Sequence, residues 1–136
     1  VSALAKRFEG TPAGDFWTVY AELERGQSPF YIELGKRHGL APRALRTGMK
    51  AALSVEAASL FPTWFVGMLA TATERYLLFL KSTRMPTERP DQVAMRYVIR
   101  QEAAPVNALK IASEGDFKAA TDVLRTFVRD DRPPRF

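Results

Sequence analysis

PTWFVGMLATATERYLLFL, residues 62–80, is the most informative run in the chain. Its proline stands where a first helical turn has no use for a backbone N–H. Phe65, Leu69, Ala72, Tyr76 and Phe79 then recur at helical spacing, with Thr63, Gly67, Thr71, Glu74 and Lys81 across from them. Trp64 and Leu78 widen the apolar face. The pattern predicts a central helix buried on most sides, with Leu69 in its core-facing stripe. The 17 residues Ala57–Thr73 carry no charge, and extension to Leu80 reaches the length of a membrane span. That extension takes in Glu74 and Arg75, and an ionised pair inside a bilayer costs several kcal/mol. A helix buried in protein is the better reading.

Outward from this run, glycine and proline fall at regular intervals. Breaks are expected at Gly10–Gly14, Gly26–Pro29, Gly39–Pro42, Phe61–Pro62, Met85–Pro90, Ala104–Pro105 and Gly115–Asp116. Asp15 and Asp116 each follow a glycine and open an apolar-periodic stretch, so both read as N-caps. No Asn-Gly or Asp-Gly hairpin turn occurs, and no alternating strand of useful length. Phe117, Ala120, Val123, Leu124, Phe127 and Val128 form a second apolar stripe. A short helix with Val106, Leu109 and Ala112 precedes it, and Gly115 closes the two into a hairpin. Asp91–Ala103 carries a weaker stripe of Val93, Tyr97 and Val98. The expected fold is all-α, a compact multi-helix bundle of about six or seven helices forming one domain over residues 1–136.

Composition limits what such a bundle does. With 136 residues and 46% hydrophobic content, the chain can bury a core without staples. The absence of cysteine excludes disulfides and thiolate metal sites. The single histidine, His38, lies beside Lys36 and Arg37, a poor setting for a general acid. No Gly-x-Ser-x-Gly elbow or glycine-rich phosphate loop is present. The close carboxylate pairs are Glu22/Glu24, which point to different sides of a helix, and Asp130/Asp131, in a proline-rich tail. No catalytic residue, cofactor or metal ligand is expected. The chain opens at Val1 rather than methionine, which suggests processing or excision and leaves the compartment open.

Charge is unevenly placed. Lys36, Arg37, Arg43, Arg46 and Lys50 fall together, with no acid between Glu33 and Glu56. Without these five, the remaining 15 basic side chains equal the 15 acidic ones, so one segment carries the formal excess of +5. Residues 31–50 also resemble a generic helix-turn-helix. Gly39-Leu40 would make the turn, and Pro42 would start a second helix with Arg43, Arg46, Thr47 and Lys50 along one face. A DNA-binding module, cytoplasmic in that case, is therefore the alternative to a protein-docking patch.

The segment ALKIASEGDFKAA, residues 108–120, looks like one tetratricopeptide unit, but a solenoid needs several. It also resembles the last helical hairpin of PsbQ-like proteins, the small extrinsic subunits on the lumenal side of photosystem II. That resemblance implies a basic, cysteine-poor helical bundle of this size, cleaved from a thylakoid-targeting precursor. The leading expectation is a non-catalytic accessory subunit that docks on a larger protein assembly at a membrane surface. Its basic segment would steer the encounter, while aromatics such as Phe16, Trp17, Tyr20, Phe30 and Tyr31 supply both core and docking area. The tail Arg129–Phe136 cannot continue a helix, and Arg132 and Phe136 are its candidate anchors.

Overall fold

A computed structural model describes residues 1–39 and 62–135 of the chain. All regular structure among them is helical, in five elements: α1 Ser2–Arg7, α2 Pro12–Arg37, α3 Pro62–Ser82, α4 Arg89–Ser113 and α5 Phe117–Asp130. Among the described residues the helices number five, and two expected breaks lie inside helices rather than between them. Pro29 sits within α2, and Pro105 sits within α4, so the short helix around Val106–Ala112 is the last part of α4. A proline in a helix interior removes one backbone hydrogen bond and costs about 3 kcal/mol. Burial on both sides of each proline offsets that cost. Gln27 and Phe30 flank Pro29, and Pro105 is buried between Glu102 and Val106.

The helix ends follow local chemistry. Thr11 rather than Asp15 caps α2: its Oγ1 accepts from the Gly14 N–H at 3.2 Å, while Asp15 occupies the first turn. Gly14 is required there, because a Cβ at this position would lie 2.1 Å from the Phe8 carbonyl oxygen. Asp116 caps α5 as the sequence predicts, accepting from the Ala119 N–H at 2.9 Å. Gly115 before it has φ +94°, a left-handed turn that side chains with a Cβ resist.

Packing runs in a chain of neighbours: α1 on α2, α2 on α5, α5 on α4, and α4 on α3. The main core joins Leu4, Phe16, Trp17, Tyr20, Phe65, Leu109 and Leu124. Phe16 lies edge-on to Trp17 at 5.0 Å and to Phe117 at 5.9 Å, geometry that aromatic quadrupoles favour. A second cluster gathers Phe30, Leu80, Ala94, Tyr97 and Val98 between α2, α3 and α4.

The sequence misjudged the phase of α3. Phe65, Val66, Ala70, Thr73, Leu77 and Leu80 are buried, while Ala72, Tyr76 and Phe79 face outward and Leu69 is half-buried. A helix with apolar residues around most of its circumference has no single periodic face to read. Among the described residues, α4 packs along one side of α3 and aromatics of α2 meet its buried face, while Trp64, Leu78 and Phe79 stay exposed. No helix among the described residues is long and apolar enough to cross a membrane.

Candidate partner-binding surfaces

The basic segment begins at the C-terminus of α2, where cations also complement the helix dipole. Lys36 lies 3.9 Å from Glu33, one turn back. Arg37 Nη2 and His38 Nε2 both approach Asp91 Oδ1, at 3.8 and 3.3 Å. Asp91, in the first turn of α4, is thus an acid that the linear sequence did not place beside this patch. Arg37 is partly neutralised by this contact. Arg43, Arg46 and Lys50 lie outside the described residues, as does most of the segment 31–50 assigned to a helix-turn-helix.

A concentration of arginine surrounds the C-terminal tail. Asp131 leaves α5 and receives two hydrogen bonds from Arg100 on α4, from Nε at 2.9 Å and from Nη2 at 3.2 Å. This fork ties the extended tail to α4. Arg96, Arg100 and Arg132 then line one open cavity of about 280 Å³, together with Val93, Tyr97 and Pro134. On the other side of the tail, a cavity of about 440 Å³ is bounded by Pro29, Phe30 and Glu33 of α2 and by Pro133, Pro134 and Arg135. Arg132 is exposed, as expected of a docking residue, and Phe136 lies outside the described residues. Sequence reasoning missed Arg96 and Arg100. Their spacing of four puts them on one helix face, a signal visible in the sequence.

The N-terminal aromatics do not supply docking area. Phe16, Trp17, Tyr20 and Phe30 are all buried in the two clusters. Among the described residues the most exposed large apolar side chains stand on α3 instead: Trp64 is 61% exposed, Leu78 59% and Phe79 62%, with Met68 and Tyr76 on the same helix. Arg75 is the charged residue on this outward strip.

Between α2 and α4 lies a buried polar seam. Tyr20, Glu24, Gln27 and Tyr31 follow one another at helical spacing along α2. The Tyr31 hydroxyl donates to Gln101 Oε1 on α4. Glu102, the next residue, is only 5% exposed. Burial pushes its carboxyl up to about 7, and Glu24 adds to the shift, while a hydrogen bond from Gln101 opposes it. The same burial raises the Tyr20, Tyr31 and Tyr76 hydroxyls, and Glu102 adds to each. The hint in the sequence was Glu102's place within the apolar series Val98, Pro105, Val106 and Leu109.

Among the described residues no group of three or more imidazole and carboxylate side chains is arranged to hold a metal ion. The arrangement that remains is one of surfaces: an arginine-lined tail and an apolar helix face. Compared with known proteins, the chain matches no family model, no curated relative and no solved structure at a significant level.

Proposed function

We propose that this chain is a non-catalytic helical accessory subunit that docks on an acidic surface of a larger assembly. The observation that carries this reading is the arginine cluster at the tail. Arg96, Arg100 and Arg132 share one cavity, and Asp131 is bonded to Arg100 at its edge. Guanidinium groups held in a fork geometry favour carboxylate-bearing partners, and positive potential speeds the encounter. Lys36 and Arg37 at the end of α2 extend the basic surface. Following the PsbQ-like resemblance of residues 108–120, the assembly is a photosynthetic membrane complex and the compartment the thylakoid lumen.

The alternative is a DNA-binding module. It draws on the left-handed Gly39 that follows α2, where a helix-turn-helix needs its turn. One experiment addresses both readings: purification of the native assembly across a salt series, alongside binding to duplex DNA. A docking subunit leaves its assembly as salt rises, and the double variant Arg96→Glu/Arg132→Glu leaves at lower salt than wild type. Retention at high salt by both forms refutes the arginine dock. DNA binding that falls steeply with salt, and that this double variant does not alter, favours the alternative.

A further inference from the structure

The outward face of α3 has an internal symmetry. Thr71 and Ala72 stand at its middle; three residues out on either side are Met68 and Arg75, and seven residues out are Trp64 and Phe79. At 100° per residue these six, with Leu78, fall within about one-third of the helix circumference. The face is therefore large at both ends and small at its centre. The Thr71 hydroxyl donates to the Gly67 carbonyl at 3.0 Å, so its hydrogen-bonding capacity is met within the helix. Trp64 and Phe79 lie roughly 22 Å apart along the axis, at 1.5 Å per residue.

We infer that this face is the interface of a homodimer, occupied by α3 of a second copy running antiparallel, with its two-fold axis at Thr71–Ala72. A two-fold contact places each residue against its mirror in the stripe. Trp64 meets the partner's Phe79, Met68 meets the partner's Arg75, and the small centres let the helices approach closely. Charge selects the antiparallel sense. A parallel pair would set Arg75 against the partner's Arg75. The antiparallel pair separates them by about 10 Å along the axis and brings each guanidinium within reach of the partner's Trp64 ring. Glu74 beside the stripe is engaged by Lys110 of its own chain and does not intrude.

The area fits an association of moderate strength. Trp64, Met68, Leu78 and Phe79 are each 41–62% exposed. At about 100 Å² apiece they offer about 800 Å² over two copies, and the exposed Thr71, Ala72 and Arg75 between them bring the face near the lower bound for a specific interface. This surface is separate from the arginine-lined tail, so the pairing leaves the proposed dock free and stands or falls independently of it.

The chain has no cysteine, which makes single-cysteine crosslinking a clean test. Thr71→Cys lies beside the proposed axis, and oxidation is expected to convert it to a disulfide-linked dimer. Ser82→Cys, about 30 Å from its mate in this register, is expected to stay monomeric. Sedimentation of wild type should show a concentration-dependent dimer, and Trp64→Glu should shift it to monomer without loss of helical circular dichroism. Three results would overturn the inference. One is a wild-type monomer up to about 1 mM, a concentration at which even weak pairs associate. Another is crosslinking of Ser82→Cys as fast as Thr71→Cys. The third is a monomer that binds phosphatidylglycerol vesicles through Trp64, which would assign the face to lipid.

Discussion

The Tyr31 hydroxyl and the Gln101 side chain are joined across the α2–α4 interface, and Glu102 is buried immediately beside that bond. The interface thus holds an ionisable carboxyl among tyrosines and a glutamine, with the like charge of Glu24 acting on it. A charge in that setting loses hydration. Its consequence is a stability that depends on pH.

In the folded chain Glu102 titrates at about 7, against an ordinary value of 4.5. A raised carboxyl means that the native state binds its proton more tightly than the unfolded chain. The stabilisation is fully present below pH 4.5 and is lost as pH rises through 7. A shift of this size corresponds to about 3 kcal/mol. Glu102→Gln keeps the shape and abolishes the titration, so it should be more stable than wild type at pH 8. Urea denaturation at pH 5, 6, 7 and 8 checks this, and equal pH profiles for the two proteins would contradict it.

Leu109 and Leu78 make a matched pair for testing which faces of α3 and α4 are core. Leu109 is fully buried, whereas Leu78 is mostly exposed. Leu109→Ala should cost about 2–5 kcal/mol through lost transfer energy and a residual cavity. Leu78→Ala, measured in dilute monomer by the same denaturant curves, should cost less than about 0.5 kcal/mol. A reversal of the two would mean that α3 is rotated from the orientation described.

The Arg100–Asp131 fork is half exposed, with Arg100 at 57% and Asp131 at 23%. A pair so placed contributes at most about 1 kcal/mol. Its removal by Asp131→Asn should leave global stability almost unchanged while freeing the tail. Backbone nitrogen relaxation should show larger fast motion at Arg132 and Arg135, with amide-exchange protection in the middle of α4 unaltered. If the tail keeps wild-type relaxation, its prolines beside α2 and not the fork hold it in place.

Local sequence determined the helical class, the start of α3 at Pro62, the Gly115–Asp116 turn and the last hairpin, because each depends on residues within a few positions of one another. Caps and turns are short-range hydrogen-bond chemistry, and Asp116 with Ala119 needs nothing else. Other features depended on distant partners. Pro29 and Pro105 read as breaks until packing by the aromatic clusters outweighed their local cost. The apolar circumference of α3 left its buried face undecided until α4 took one side, which is why Phe79 looks outward and Leu77 inward. The basic segment was legible as charge, yet Asp91 reaches it only because α4 returns beside the end of α2. Glu102 carries its raised titration for the same reason, since neither burial nor the neighbourhood of three tyrosines is encoded in spacing along one helix. Periodicity fixes which residues share a face, and only the meeting of helices decides what each face touches.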